Sequence, residues 1–250
     1  MLILRSILNS IFFGLWTAFM VSVAVTLGAL RRDPTLFKRM QRDWARGLIR
    51  FWGVEVRVYG AENMDPARSY VVMANHLSYV DIVALFLALP NIPGFLAKRE
   101  LTRVPFLGQA LRSGGHVVVD RGQRANAVQA INLAAEQVRS GKTVLIFPEG
   151  TRGSSDTIGD FKKGGFYLAR AASVPILPVG LRGSRDVFPK ESLLVKPGVI
   201  EVYIGEPISS EEVGRRDPNE MIPFVRGKVM ELSAMPPRES IEPDDEPVPA

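Results

Sequence analysis

The sequence predicts an α/β domain with a mostly parallel sheet flanked by helices, preceded by a membrane-embedded helical pair. From Val54 onward, short β-rich segments alternate with helical ones, which is the pattern of strands joined by crossover helices. The chain has 250 residues, of which 46% are apolar and 23% charged, enough for one such core. A long apolar segment followed by a basic one near the N-terminus predicts the helical pair.

The first element is an apolar helix. Between Arg5 and Arg31 lie 25 residues without a charge, and a helix of that length would reach roughly 37 Å, enough to span a bilayer. A cleaved signal peptide is the alternative, because Ser22, Val23 and Ala24 form a possible cleavage site. The apolar stretch continues past that site, which favours a helix that stays in the membrane.

The second element is an amphipathic helix predicted at 35–52, after Asp33 and Pro34 break the first. Basic residues interleave with its apolar ones, as in a helix lying in the headgroup layer; a domain helix with a solvated basic face is the alternative. Residues 1–59 hold nine basic and three acidic residues, which is +6 in a chain of net charge +5. This asymmetry favours an anionic lipid surface over nucleic acid and places the domain on the cytoplasmic side.

Three regions are therefore expected: an N-terminal membrane anchor at 1–52, an α/β domain at 53–235 and a tail at 236–250. The tail is acidic and proline-rich, which predicts disorder. Strands are predicted at Val54 to Tyr59, Tyr70 to Ala74, Gly94 to Ala97, His116 to Val119, Thr143 to Phe147, Ile176 to Leu181 and Val199 to Ile204. Domain helices are predicted at 80–89, 104–113, 125–139, 164–172 and 218–234.

A candidate catalytic pair lies in the segment VVMANHLSYVD, where a strand ends and a helix begins. His76 and Asp81 are five residues apart, so a straight helix would turn them about 140° away from each other. Ser78 supplies a turn between them if it is the helix N-cap, with Asp81 at the third helical position. Asp81 alone could equally complete a capping box. An imidazole held by a carboxylate has a fixed tautomer and suits abstraction of a hydroxyl proton.

Cationic and turn-forming residues follow two other predicted strands. Arg121 follows GGHVVVD, and Glu149 to Arg152 follow TVLIFP, so they share the sheet edge at which open α/β sheets bind ligands. Gly150 permits a tight turn, and both arginines offer forked donors that match phosphate oxygens. Lys162 lies ahead of a helix start, which also favours an anion. Glu149 is expected to orient an arginine or to take a substrate hydroxyl; simple pairing with a neighbouring arginine is the alternative.

Composition excludes several kinds of site. The chain has no cysteine and two histidines, His76 and His116, which rules out thiolate chemistry and argues against an imidazole metal site. His116 is expected to pack or to form hydrogen bonds structurally. The sequence contains no G-x-S-x-G elbow, P-loop, dinucleotide fingerprint or H-E-x-x-H motif. The nucleophile is therefore expected to come from a substrate.

Four sequence blocks, in order, resemble the PlsC-type glycerolipid acyltransferases, most closely the 1-acylglycerol-3-phosphate acyltransferases. NHLSYVD resembles the N-H-x-x-x-x-D block of that family, GHVVVDR the second, FPEGTR the third and VPILPV the fourth. AKRELTRVPFLG and FKKGGF also resemble segments of the family. The resemblance covers roughly residues 50–210 and implies the glycerolipid acyltransferase fold, often with an N-terminal helical pair in the membrane.

The resemblance also implies roles for individual residues. His76, with Asp81, would deprotonate the acceptor hydroxyl, which attacks an acyl thioester. The residues implied to bind the glycerol phosphate are Arg121, Glu149, Gly150 and Arg152. The predicted substrate-binding set also includes Asn75, Lys98, Phe147, Thr151 and Lys162.

The implied reaction moves a fatty acyl group from acyl-ACP or acyl-CoA to the sn-2 hydroxyl of 1-acylglycerol 3-phosphate, giving phosphatidic acid for phospholipid biosynthesis. It needs no cofactor or metal, and it would take place at the cytoplasmic face of the inner membrane, with membrane lipids and no nucleic acid as partners. Another lysolipid acceptor, such as lyso-ornithine lipid, is one alternative, against which the phosphate-directed arginines argue. A noncatalytic anionic-lipid-binding membrane protein is another, and it gives no reason for His76 beside Asp81.

Overall fold

The computed structural model describes residues 2–31, 34–98, 102–103, 116–119, 124–153, 158–192 and 194–234. Two predicted features, the helix at 104–113 and the tail at 236–250, lie outside these residues. Within them, every predicted strand is confirmed, with ends that differ from the prediction by at most one residue. The strands are β1 Val54–Tyr59, β2 Val71–Ala74, β3 Gly94–Lys98, β4 Val117–Val119, β5 Val144–Ile146, β6 Ile176–Arg182 and β7 Gly198–Ile204.

The helices of the described residues include two short ones that the sequence analysis does not predict, at 184–187 and 210–215. A 3-10 turn follows β1 at Ala61–Asn63. The helices are α1 Leu2–Arg31, α2 Pro34–Trp52, α3 Val80–Ala88, α4 Arg124–Arg139, α5 Gly164–Ala172, α6 Ser184–Val187, α7 Ser210–Arg215 and α8 Pro218–Ala234.

The strands form one seven-stranded sheet in the order β1-β7-β6-β2-β5-β3-β4. Among the residues that the structure describes, five of the six strand pairings are parallel, and β6 pairs with β7 antiparallel. The mostly parallel sheet is thus confirmed, with a mixed edge. The four-residue helix α6 between β6 and β7 spans about 6 Å. Among the described residues of this connection it is the single helix, whereas parallel strands are usually joined by a longer crossover helix.

Helices cover both faces of this sheet, and β2 shows how. Its four side chains are all buried, and they alternate between two cores, with Val72 and Ala74 in one and Val71 and Met73 in the other. The first core includes residues of α2 and α3, and the second includes residues of α4, α5 and α8. Burial on both faces is expected of a central strand in a parallel sheet.

The helices α1 and α2 pack against each other through aromatic residues. The indole N–H of Trp16 donates to the carbonyl of Trp44 at 3.0 Å, and that of Trp44 donates to Thr17 Oγ1 at 3.0 Å. A Cβ at Gly47 would lie 2.5 Å from the Trp16 ring, so a glycine is needed for the close approach. Asn9, buried on α1, donates to the carbonyl of Val195 at 3.2 Å, which ties α1 to the α/β domain.

One side of α1 carries exposed apolar residues. Among the described residues, the structure has one helical stretch, Leu4–Ala24, that is long and apolar enough to cross a membrane. Only 11% of its most apolar window is buried against the rest of the protein. The exposed large apolar side chains of this helix are Leu4, Ile7, Leu8, Ile11, Phe13, Leu15 and Phe19.

A cavity of about 710 Å³ lies between the helical pair and the domain. It is lined mainly by apolar and aromatic side chains from α1, α2 and α3, together with Phe95 and Phe188. His116 and Gln41 add polar groups to its wall, and Tyr79 and Val80 bring it to the turn that follows β2. Its volume is that of a site for a small organic ligand.

Candidate active site

The predicted contact between the histidine and aspartate that follow β2 is present. His76 Nδ1 lies 2.8 Å from Asp81 Oδ2. The Asp81 side chain is fully buried, whereas that of His76 remains 13% exposed. Because a carboxylate only accepts hydrogen bonds, Nδ1 carries the ring proton and Nε2 presents a lone pair. The imidazole can therefore accept a proton at Nε2.

The same carboxylate oxygen also closes the turn between these two residues. Asp81 Oδ2 accepts the backbone N–H groups of Leu77 and Ser78, each at 2.8 Å. Asp81 thus makes both contacts that the sequence left as alternatives, the helix cap and the histidine. Helix α3 begins at Val80 with Tyr79 as its N-cap, one residue after the predicted Ser78. Ser78 Oγ nevertheless accepts the N–H of Val80 at 3.4 Å, and its hydroxyl donates to the carbonyl of Phe188 at 2.7 Å.

The Glu149 side chain binds two backbone N–H groups, one of them in the turn that carries His76. Its Oε1 accepts the N–H of His76 at 2.9 Å, and its Oε2 accepts the N–H of Gly159 at 3.0 Å. The predicted contact of Glu149 with an arginine or a substrate hydroxyl stays a prediction, since each carboxylate oxygen can accept a further hydrogen bond. The strands β2 and β5 are neighbours, so the segments after them meet, and the N–H of Gly153 also donates to the carbonyl of His76 at 2.7 Å.

Asn75 likewise contacts the protein itself, and its predicted contact with substrate stays a prediction. Its side chain is 1% exposed. The amide Nδ2 donates to the carbonyl of Leu181 at 2.9 Å, and Oδ1 accepts the N–H of Leu181 at 2.7 Å. Since both ends of the amide are bonded to β6, Asn75 fixes the end of β2 where His76 begins.

Phe147 packs against the imidazole. The two ring centroids lie 3.9 Å apart with an interplanar angle of 13°. A stacked ring on one face restricts rotation of the imidazole. Phe147 thus contacts His76, in addition to its predicted contact with substrate. The edge of the imidazole that carries Nε2 stays available to a substrate.

The turn after β5 combines a strained glycine with two cations. Gly150 has φ +77, which favours a glycine, and a Cβ there would lie 2.5 Å from Lys162 Nζ, so a side chain would displace the flexible end of Lys162. The guanidinium carbon of Arg152 lies 3.7 Å from the centroid of the Tyr79 ring. Its Nη1 also donates to the carbonyl of Lys190 at 3.3 Å. The structure thus brings Arg152 to the turn that carries His76.

Two residues in that description, Tyr79 and Lys190, are missed by sequence reasoning. The tyrosine in NHLSYVD was the sequence feature that could have indicated Tyr79. For Lys190 the sequence offers no comparable pattern, because the contact depends on how the loop after α6 folds. Lys190 Nζ in turn donates to the carbonyl of Arg152 at 3.1 Å, so the two residues hold each other reciprocally.

The structure gives positions and no site contacts for the remaining predicted site residues that it describes. Thr151 is exposed in the turn beside Gly150, and Lys98 is the last residue of β3. Arg121 lies outside the described residues. The strand it follows, β4, runs parallel to β3, in the direction expected for the shared edge.

The second histidine has a different environment. His116 is 8% exposed, and its Nδ1 accepts the N–H of Phe95 at 3.2 Å. Its Nε2 lies 3.3 Å from the amide nitrogen of the Gln41 side chain. Burial, with a smaller effect of Lys142, lowers the pKa of His116 from 6.5 to about 4. The predicted structural role of His116 is thus confirmed.

A histidine hydrogen-bonded to a buried carboxylate thus lies next to a cationic turn and an apolar cavity, an arrangement that an α/β enzyme can use for general-base catalysis. The sequence model of the family described as Acyltransferase matches residues 55–182. This segment includes His76, Asp81 and the turn at Arg152. The chain belongs to this acyltransferase family.

Relatives and a solved structure agree with that assignment. The chain is 29% identical over 223 residues to 1-acyl-sn-glycerol-3-phosphate acyltransferase alpha of Mus musculus, covering 88% of this chain and 78% of the relative. It is 34% identical over 182 residues to 1-acyl-sn-glycerol-3-phosphate acyltransferase of Saccharomyces cerevisiae, covering 72% and 60%. The crystal structure of the 1-acyl-sn-glycerophosphate (LPA) acyltransferase PlsC from Thermotoga maritima matches with a TM-score of 0.81 and 26% identity, covering 94% of this chain and 99% of that one.

Proposed function

We propose that this enzyme transfers a fatty acyl group from a thioester, acyl-ACP or acyl-CoA, to the sn-2 hydroxyl of lysophosphatidic acid, giving phosphatidic acid. The observation that carries the proposal is the 2.8 Å contact between His76 and Asp81 beside the Arg152 turn. The names of the relatives support the same acceptor. No cofactor takes part, because the thioester and the hydroxyl are the two substrates.

His76 is the general base in this proposal. Its Nε2 takes the proton of the acceptor hydroxyl, and the oxygen attacks the thioester carbonyl. The carbon–sulfur bond breaks, and the thiolate leaves with the proton that His76 has held. Asp81 keeps the imidazole in the tautomer that this requires and stabilises the imidazolium that forms. No covalent acyl-enzyme is needed when the two substrates are aligned.

The acceptor phosphate is proposed to bind at the turn after β5. Arg152 offers planar N–H donors, and Lys162 adds a second positive charge across Gly150. Arg121 is proposed to contribute from the segment after β4. These cations favour an acceptor with a phosphate over one without, such as lyso-ornithine lipid. A noncatalytic lipid-binding protein would have no use for the pair of His76 and Asp81.

The apolar cavity is proposed to receive an acyl chain. It reaches the catalytic turn at Tyr79 and Val80 and continues between the helical pair and the domain. Because the lining is almost entirely hydrocarbon and aromatic, it suits a chain that must leave the bilayer. The acyl chain would then approach His76 from the same side as the thioester that reacts.

The helical pair is proposed to seat the enzyme in the cytoplasmic leaflet of the inner membrane. The exposed apolar residues of α1 would enter the hydrocarbon, and exposed basic residues of α2, such as Arg39 and Arg50, would meet anionic headgroups. Asn9 and Trp16 tie α1 to the rest of the protein. The active site would thus stay at the depth where the hydroxyl of a lysolipid emerges.

An acceptor and donor panel tests this function. The purified protein in mixed micelles is given acyl-ACP or acyl-CoA with lysophosphatidic acid, lysophosphatidylglycerol, lyso-ornithine lipid or monoacylglycerol. We expect thiol release and phosphatidic acid with lysophosphatidic acid as the preferred acceptor. Preference for lyso-ornithine lipid would replace the acceptor, and the absence of thioester consumption with every acceptor would favour the noncatalytic alternative.

A further inference from the structure

An aromatic residue in the catalytic turn touches both the phosphate-directed arginine and the apolar cavity. Tyr79 is 57% exposed, although it lies three residues from His76. One face of its ring carries the guanidinium of Arg152, with 3.7 Å between the guanidinium carbon and the ring centroid. The same side chain lines the cavity near Phe188, whose ring centroid is 6.5 Å away.

Stacking on an aromatic face leaves the binding capacity of an arginine intact. The five N–H donors of a guanidinium lie in its plane, so a ring that covers one face does not block them. The contact adds a cation–π attraction and removes alternative positions of a long, flexible side chain. Arg152 is further held by the carbonyl of Lys190, which accepts one of its N–H groups at 3.3 Å.

We propose that Tyr79 is a positioning residue that holds Arg152 ready for the phosphate of the lysolipid acceptor. It does so at the boundary where the headgroup site meets the apolar cavity. This inference rests on the proposed function only in that Arg152 binds the phosphate. It assigns a role to the aromatic ring and none to the Tyr79 hydroxyl, so any aromatic side chain at this position should serve.

The expected effect is selective for the phosphate. Tyr79→Leu keeps an apolar side chain at the cavity but removes the π face, and we expect affinity for lysophosphatidic acid to fall about two- to fivefold, as for a cation–π contact at an exposed site. Affinity for monoacylglycerol, which has the same chain and no phosphate, should not change. Tyr79→Phe should restore the affinity for lysophosphatidic acid.

Equilibrium binding in micelles, without an acyl donor, tests this directly. Radiolabelled lysophosphatidic acid and monoacylglycerol are titrated with the wild type, Tyr79→Leu, Tyr79→Phe and Arg152→Gln. Tyr59→Leu is the matched control, since it removes a tyrosine that stacks on Tyr203 at 4.7 Å on β1, three strands away from β2 in the sheet. In the Arg152→Gln background, Tyr79→Leu should cause no further loss, because a residue that acts through Arg152 has nothing left to position.

Each outcome decides between the two proposals. If the wild type prefers lysophosphatidic acid and Tyr79→Leu keeps that preference within about 1.5-fold, the role of Tyr79 is wrong and the proposed function stands. A loss of equal size for monoacylglycerol, or in the Arg152→Gln background, also overturns it. If the wild type binds both lipids equally, there is no phosphate site and the inference fails. Selective binding without acyl transfer would refute the function and leave the role of Tyr79 intact.

Discussion

The two histidines of the chain occupy two regions with opposite chemistry. His76 lies at the sheet edge beside a buried carboxylate and keeps part of its ring exposed. His116 lies in the cavity wall beneath the helical pair, bonded to a backbone N–H and facing a neutral carboxamide. The comparison teaches that the surroundings, and not the residue type, decide what an imidazole can do. His76 has a carboxylate that orients its ring and fixes its tautomer, and His116 is held neutral by burial.

Removing the carboxylate of Asp81 is expected to have the largest effect on the difference between the two histidines. Asp81→Asn would leave an amide facing Nδ1, which favours the wrong imidazole tautomer, so we expect kcat to fall at least about 100-fold. Steady-state acyl transfer to lysophosphatidic acid measures the effect. The matched control is Asp43→Asn, which removes an exposed carboxylate paired with Arg46 on α2. A kcat within threefold of the wild type would show that Asp81 serves only as a helix cap.

A smaller loss is expected when the support of His76 is altered. Glu149→Gln places an amide N–H group against one of the backbone N–H groups that Glu149 accepts. The unpaired donor should cost about 1 to 3 kcal/mol of stability. It should also lower kcat roughly tenfold, because His76 is misplaced. Urea unfolding and kcat are measured together. Glu55→Gln is the control, since this exposed carboxylate pairs only with Arg57 on an edge strand. An unchanged kcat in Glu149→Gln would contradict its positioning role.

The turn after β5, which contains Gly150, gives a prediction for which the chain itself offers a control. Both Gly150 and Gly141 have positive φ, but a Cβ would meet Lys162 at the first and nothing within 4 Å at the second. Alanine at either should cost about 1 to 3 kcal/mol of backbone strain. Only Gly150→Ala should also raise the KM for lysophosphatidic acid, by about threefold, because Lys162 must move. An equal KM in both variants would remove Lys162 from the phosphate site.

The smallest effect on turnover, and a distinct effect on stability, is expected at His116. Its pKa in the folded protein is about 4 against an ordinary 6.5, so the unfolded chain binds the extra proton first as the pH falls. Stability should therefore decline from pH 6.5 towards pH 4, by about 2 kcal/mol at pH 5.

His116→Gln is the variant that isolates this effect, because it keeps a neutral polar group in the cavity wall. We expect it to lose this part of the pH dependence while kcat stays within about threefold of the wild type. Urea midpoints at pH 7.5 and pH 5 check the difference between variant and wild type. A variant with the same pH dependence as the wild type would show that His116 is not held neutral by the fold.

Much of the fold was predictable because its strands are short, buried and bounded by turns. The helix α7 was missed although Ser209 accepts the N–H of Glu212 at 3.2 Å, which is a capping pattern readable from the sequence. The antiparallel pairing of β7 was not readable, since strand direction depends on the path of the connection after β6. Pattern analysis finds elements from local periodicity and cannot by itself supply contacts between distant segments.

The site was predictable where chemistry depends on neighbours in the sequence, and less so elsewhere. The contact of His76 with Asp81 follows from a turn within five residues. The contacts of Asn75 with Leu181 and of Glu149 with His76 were not predictable, because each joins residues far apart in the chain. The stacking of Arg152 on Tyr79 likewise joins two segments that meet only because β2 and β5 are neighbours.

Single-turnover acyl transfer by the wild type and His76→Ala, with and without lysophosphatidic acid, tests the central claim that His76 is the general base for a hydroxyl supplied by the acceptor. In the wild type we expect thiol release in step with phosphatidic acid, and only when the acceptor is present. His76→Ala should bind lysophosphatidic acid but transfer at least about 100-fold more slowly. Transfer by His76→Ala within threefold of the wild type, or a burst of thiol release without acceptor, would contradict it.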